Sequence, residues 1–182
     1  SDISLTGAQE QLIRSVCATG KPVVVVLVAG KPFAIPYIKE KVPAILAQWY
    51  AGEQAGNSIA DILFGKVNPS GKLPFSFPQS TGHLPAYYNY LPTDKGYYKE
   101  PGTYTSPGRD YVFSSPAPLW TFGHGLSYTR FEYVQATTDK TSYQPHDTIR
   151  ISVKVKNSGK LAGKEVVQIY IHDVVSTVMT PV

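Results

Sequence analysis

The residues with chemistry to offer are few, and their spacing is the first thing to weigh. The chain holds 13 carboxylates, 17 Lys and Arg, four His and one Cys in 182 residues. Among the carboxylates no spacing announces a catalytic pair. Glu53 and Gln54 form the most informative polar pair, because they lie between glycines in Ala51-Gly-Glu-Gln-Ala-Gly56. Two readings stand for Glu53. It lines a cleft, since ligands of open α/β sheets gather at the carboxyl ends of strands, or it is an N-terminal helix acid favoured by the macrodipole. Arg109, Asp110 and Tyr111 form a second polar cluster. There a loop ion pair that orders Tyr111 competes with a contact to a sugar, whose faces tyrosines stack on. Gly123-His-Gly-Leu-Ser127 lacks the Gly-x-Ser-x-Gly elbow of a hydrolase nucleophile, and its glycines suggest a tight bend with His124 buried and hydrogen-bonded. The Gly-Lys pairs at 20–21 and 30–31 lack the spacing and the following Ser or Thr of a phosphate loop, so both read as turns.

Those side chains need elements to hold them. Thr6 to Thr19 predicts a helix, with Thr6 and Gln9 at capping-box spacing and Leu5, Ala8, Leu12, Ile13 and Val16 near one face. Pro22 to Ala29 is a continuous β-branched run that does not alternate, so it predicts a strand buried on both faces of a parallel sheet. Lys31 to Lys41 predicts a short helix limited by Pro32 and Pro36, and Ala44 to Trp49 a second buried strand. The loop with Glu53 follows, and then a helix from about Gln54 to Phe64, for which Ser58 and Asp61 offer a later capping box. Alternating helices and strands indicate an α/β layered domain that the chain enters partway through.

Residues 79–130 carry few periodic signals and many tyrosines, so long loops packed by tyrosines are expected there. The texture then changes. Phe131 to Thr137 reads as an edge strand. Thr148 to Asn157 alternates, with Ile149, Ile151, Val153 and Val155 expected inward, and Glu165 to His172 reads as another strand. This is the pattern of a half-buried antiparallel sandwich. Only about three strands fit, against the roughly seven of a whole one, so the second domain is expected to be incomplete. The boundary falls near residue 130, giving domains 1–130 and 131–182.

Composition narrows the function classes. The hydrophobic fraction of 42% supports a packed core, and the net charge of +4 is spread without a dense basic run, which argues against nucleic-acid binding. No apolar run approaches the ~20 residues of a membrane span. The lone Cys17 leaves no internal disulfide and reads as a small buried hydrophobe, and the His spacing suggests no metal site. No cofactor is indicated.

Trp49-Tyr-Ala-Gly-Glu-Gln-Ala-Gly56, Ile59-Ala-Asp-Ile-Leu-Phe-Gly65, Asn68-Pro-Ser-Gly-Lys-Leu-Pro74, Trp120-Thr-Phe-Gly-His-Gly-Leu-Ser-Tyr-Thr129 and Val166-Val-Gln-Ile-Tyr-Ile-His-Asp173 follow one another along the chain. In that order they resemble the C-terminal part of family-three glycoside hydrolases, the β-glucosidase and β-xylosidase group. The resemblance covers nearly the whole chain. It implies the later half of an α/β sandwich domain, then the start of a fibronectin type III-like domain, both normally preceded by a (β/α)8 barrel. It also implies a retaining double displacement on terminal β-linked glucose or xylose, in which one carboxylate attacks the anomeric carbon and a second carboxyl protonates the leaving oxygen.

The same resemblance puts the nucleophile on the absent barrel and the acid/base in a stretch like the one just before Ser1. No residue here is then catalytic, Glu53 included, and the isolated chain is expected to be inactive. Glu53, Gln54, Asp110 and Tyr111 remain as substrate-binding candidates, with the loop at 50–56 and the tyrosine-rich segment 87–111 as one wall of the cleft. The implied partners are a β-linked oligosaccharide or glycoside and the barrel of the same protein. The implied location is the periplasm or beyond, although a lack of disulfides suits the cytosol equally. A non-enzymatic carbohydrate-binding module is the rival expectation, on the strength of the tyrosines, and a structural docking module the third.

Overall fold

The computed structural model describes residues 2–89, 105 and 117–175. The chain divides into two compact units. The first comprises the chain up to Ile59, Lys72–His124 and the chain from Gln168 onward; the second comprises Ala60–Gly71 and Gly125–Val167.

In the first unit the order is α1 (Gln9–Cys17), β1 (Val24–Leu27), α2 (Pro36–Lys41), β2 (Ala44–Ala47) and the start of α3 (Ala55–Leu63). Strands β1 and β2 pair in parallel, from Val24 opposite Ala44 to Leu27 opposite Ala47. A parallel pair needs a crossover, and α2 lies within it. Its length follows from its prolines. Pro36 sits at the start, where a missing N–H costs nothing. Val42 is already extended at φ −100° because the ring of Pro43 disfavours helix in the residue before it. The core gathers Val25, Ile35, Ile38, Val42, Phe77 and Leu119. Ile35 and Ile38 are wholly buried, each worth about 1.5–3 kcal/mol relative to exposure.

Several expectations need correction here. Helix α1 starts at Gln9 rather than Thr6; its N-cap is Ala8, and no side chain caps it. Gly7 at φ +60° turns the chain in, and Thr6 accepts only a side-chain bond, 3.4 Å from Gln9 Nε2. Strand β1 is not buried on both faces: Val25 is buried, whereas Val24 is 48% exposed and Val28 61%. One parallel neighbour covers less than the layers the apolar run implies. Cys17 is half-buried, packed at the margin of the core. Ser58 is inside α3, not at its start, and its hydroxyl bonds back to the Gln54 carbonyl at 3.1 Å.

The second unit contains β3 (Phe131–Thr138) and β4 (Ile151–Asn157), an antiparallel pair with an irregularity between Tyr133 and Gln135. Val153 and Val155 are the half-buried positions of β4. Ile149 and Ile151 were expected inward but are 47% and 40% exposed. Glu165 to His172 is not a strand. Its alternation is present, but no ladder forms along it among the described residues, and Ile169 and Ile171 are 56% and 70% exposed. Asn68 organises this unit. Its Oδ1 accepts from the Ser127 hydroxyl and the Tyr128 N–H at 2.8 Å each, and its Nδ2 donates to the Ala162 carbonyl at 2.9 Å. Tyr128 in turn donates its hydroxyl to the Ile62 carbonyl at 2.9 Å, satisfying the last turn of α3.

Candidate functional site

The residues of interest collect where β1 and β2 end. Beyond β1 the chain passes through Gly30; beyond β2 it passes through Gln48, Trp49 and Tyr50 into the loop that leads to α3. Two bonds from Gln48 fix this loop. Its backbone N–H donates to Leu27 O at 3.0 Å, extending the parallel pairing, and its side-chain Nε2 donates to Ala55 O at 3.0 Å, closing the loop on itself. Ala55 N–H reaches Gly52 O at 3.2 Å, and Gly52 stands at φ +74°.

Trp49 is the unusual member. Its φ is +59°, a left-handed backbone on a bulky residue, which costs energy unless the surroundings enforce it. They do: the indole meets Phe75 edge-on at 5.0 Å and tilts against Phe77 at 6.1 Å, and Phe77 meets Trp120 edge-on at 5.5 Å. Tyr50, next along, lies over Gly30. A Cβ at Gly30 would stand 2.8 Å from Tyr50 Cε2, the far end of an exposed side chain, so the ring would have to shift to admit it.

Of the four residues singled out from sequence, Glu53 and Gln54 lie in this loop, both exposed, just before α3. Gln54 accepts from Asn57 Nδ2 at 2.5 Å, and its carbonyl receives the Ser58 N–H at 3.0 Å. Gln54 therefore serves the first turn of the helix, and Glu53 stands beside it. Asp110 and Tyr111 lie outside the described residues, as does Arg109. Of the tyrosine-rich segment, Tyr87 is 63% exposed, and Tyr88 packs against Phe122 at 5.0 Å.

The sequence reading passed over Trp49 and Tyr50 as individuals. The signal available was an aromatic pair starting two residues past a strand, and a Gly three residues past its parallel neighbour. His124 corrects another expectation: it is exposed, and among the described residues its hydrogen bonds are those of its backbone, which receives Leu73 N–H at 2.8 Å and donates to Thr121 O at 3.1 Å. Partial desolvation, and after it the charges of Lys39 and Lys72, hold its imidazole below the usual 6.5. Lys39 donates to the Leu119 carbonyl and lies 5.5 Å from the Trp120 ring.

Four exposed carboxylates are held below the usual carboxylate range, each by a local donor. Asp2 is lowered first by the Ser4 backbone N–H, Glu40 by a hydrogen bond from Lys41, Asp139 by the Tyr143 hydroxyl and Asp147 by the Gln144 backbone N–H. Among the described residues no three His, Cys, Asp or Glu side chains come together as metal ligands would. Among them, too, no helix is long and apolar enough to cross a membrane.

The loop motifs and the strand-end geometry can be set beside known proteins. Residues 1–128 match the glycosyl hydrolase family 3 C-terminal domain. The chain is 42% identical over 177 residues to a β-xylosidase of Formosa agariphila, covering 95% of this chain and 23% of that protein. It is 43% identical over 183 residues to a periplasmic β-glucosidase of Salmonella typhimurium, covering 100% of this chain and 24% of the relative. Among solved structures, a β-glucosidase from Erythrobacter marinus superposes with a TM-score of 0.73 at 42% identity, over 87% of this chain and 19% of that one. A β-glucosidase from Listeria innocua in complex with glucose does so with a TM-score of 0.71 at 38% identity, over 89% of this chain and 22% of that one. The chain thus spans about a quarter of the length of the curated relatives it matches. With its α/β fold, its motifs and these matches together, the chain belongs to the glycosyl hydrolase family 3 C-terminal domain family.

Proposed function

We propose that this chain is the C-terminal part of a retaining, exo-acting β-glycosidase that removes terminal β-linked glucose or xylose, and that it carries neither catalytic carboxylate. Its work is to brace a preceding barrel and to form one wall of the sugar cleft. The wall is built from the loop at 50–56 with Glu53 and Gln54, and from the tyrosine-rich segment that holds Asp110 and Tyr111. Residues 1–130 are the later half of the α/β domain and 131–182 the start of a fibronectin type III-like domain. The carrying observation is the 42% and 43% identity to a β-xylosidase and a β-glucosidase, over a segment about a quarter of their length. A relative named periplasmic supports an exported protein.

The test compares the full-length protein with this chain alone on an aryl β-glucoside. The full-length protein turns over and the isolated chain does not. Turnover by the isolated chain that Glu53→Gln abolishes would overturn the assignment. The exposed Tyr50 and Tyr87 favour a second reading, a carbohydrate-binding module without catalysis. Saturable binding of cellobiose or xylobiose by a full-length protein that never hydrolyses them would select it.

A further inference from the structure

We propose that Gln48 is a positioning residue, a brace that holds the loop between β2 and α3 in the shape that brings Glu53 and Gln54 to the glycoside. The inference rests on the reading above, in which that loop forms part of the cleft wall. Gln48 is half-buried and is bonded through both its backbone and its side chain. Its backbone N–H donates to Leu27 O at 3.0 Å, which fixes the base of the brace on β1. Its side-chain Nε2 donates to Ala55 O at 3.0 Å and so ties the far end of the loop back to the sheet. Between these points the backbone takes two left-handed residues, Trp49 at φ +59° and Gly52 at φ +74°. Trp49 is kept in that costly region by its packing on Phe75 and Phe77. The core therefore sets the entry to the loop, and the Gln48 amide sets its exit.

The bond to Ala55 is not one that the helix needs. Ala55 is the first residue of α3, and a carbonyl at that place accepts from the N–H four residues on. The Gln48 amide is a second donor to the same oxygen, so its loss leaves α3 whole and loosens the loop. A loop that must be ordered when a ligand arrives takes that cost out of affinity, whereas a braced loop has already met it. Glu53 and Gln54 stand between the Trp49 kink and the Ala55 tie. Gln54 has its Oε1 on Asn57 Nδ2 and retains its amide hydrogens, and Glu53 adds a carboxylate. Both groups suit sugar hydroxyls. Neither takes part in bond cleavage under this reading, so loosening them weakens ground-state and transition-state binding alike. The effect then falls on KM and not on kcat.

The experiment uses the full-length protein. Gln48→Met keeps the length of the side chain and removes the donor, and Gln48→Glu keeps its shape and removes the donor. Each raises KM on an aryl β-glucoside roughly two- to tenfold, the worth of one hydrogen bond, with kcat retained. Each also speeds hydrogen exchange of the amides in 50–56. In a Glu53→Ala, Gln54→Ala background, Gln48→Met adds no further rise in KM, because the residues it acts through are gone. Exchange at 50–56 that stays unchanged in both Gln48 variants overturns the brace. So does a loss confined to kcat or thermal stability, which is all that a merely structural role would produce. A KM rise that persists in the Glu53→Ala, Gln54→Ala background overturns the positioning of those two residues. KM unmoved by Gln48→Met but raised by the Glu53→Ala, Gln54→Ala pair defeats the brace and leaves the wall reading standing. KM unmoved by the pair itself defeats the wall reading, and the proposal falls with it.

Discussion

Gly56 and Gly123 show how far one methyl group can act in opposite directions. Gly56 lies inside α3 with open space where a Cβ would go. Gly56→Ala is expected to stabilise the chain by about 0.5–1 kcal/mol, because it removes freedom only from the unfolded state. Gly123 stands at φ +79°, and a Cβ there would run into the Gln168 carboxamide, which donates to Gly123 O at 3.0 Å. Gly123→Ala is expected to cost about 1–3 kcal/mol. Denaturant midpoints read both, and equal signs for the two variants would refute the assignment. His124, one residue on, sets a pH dependence. Its folded pKa is lowered from 6.5, so the unfolded chain binds the proton more readily. Stability therefore falls as pH drops from 6.5 toward the lowered folded value, and this loss is absent above 6.5. His124→Gln should flatten that limb in a series of thermal melts. Asp139 and Asp147 work in a separate window: their pKa values are lowered from 3.8, so their contribution is present above 3.8 and lost below it. The bend at His124 was legible from its flanking glycines, but its side-chain exposure was not, because spacing fixes a turn without fixing which way the turn faces.

At the level of elements, α1 and α2 are joined by a single cation. Arg14 bonds to Glu10 at 2.6 Å within α1, and its guanidinium lies 3.6 Å from the centroid of the Tyr37 ring on α2. The first contact is an exposed i,i+4 pair worth about 0.3–0.5 kcal/mol. The second is worth about 0.5–1 kcal/mol at an exposed site. Arg14→Ala should therefore cost about 1 kcal/mol and Glu10→Ala only a few tenths. Raising salt should erase most of the Glu10 effect and leave most of the Arg14 effect. Equal losses in both variants at high salt would show that the ring contact contributes nothing. The elements themselves were read from sequence where the cause is local. The valine run gave β1 and the alternation after Thr148 gave β4, whereas the helix expected from Lys31 begins only at Pro36. Glu165 to His172 has the same alternation but forms no strand, because a strand is made by its ladder and the sequence does not carry the partner. The start of α1 was misplaced for a related reason: Thr6 has the right type and spacing for a cap, yet Gly7 at φ +60° sets the entry.

For the whole molecule, what the sequence disclosed was the family, through motifs in order, and the α/β class. What it could not disclose was how much of each layer stays open, since burial depends on neighbours rather than on the run of residues. Leu12 and Val16 on α1 are 64% and 41% exposed, Val24 at the start of β1 and Val28 just past its end are 48% and 61%, and Phe64 after α3 is 82%. Apolar side chains at such exposure would gain free energy from any apolar cover, at about 25 cal/mol per Å² removed from water. Under the reading proposed here the rest of the glycosidase provides that cover. The isolated 182-residue chain should then associate as its concentration rises and bind a hydrophobic dye, while the full-length protein binds less dye per mole. Sedimentation velocity across a concentration series reads the first effect and dye fluorescence the second. A Val24→Lys, Val28→Lys pair on the isolated chain should suppress association, because two charges at the start of β1 and just past its end would have to be desolvated on contact. A chain that stays monomeric and dark to the dye at high concentration would mean that these side chains need no partner, and the proposed bracing of a barrel would lose its physical basis.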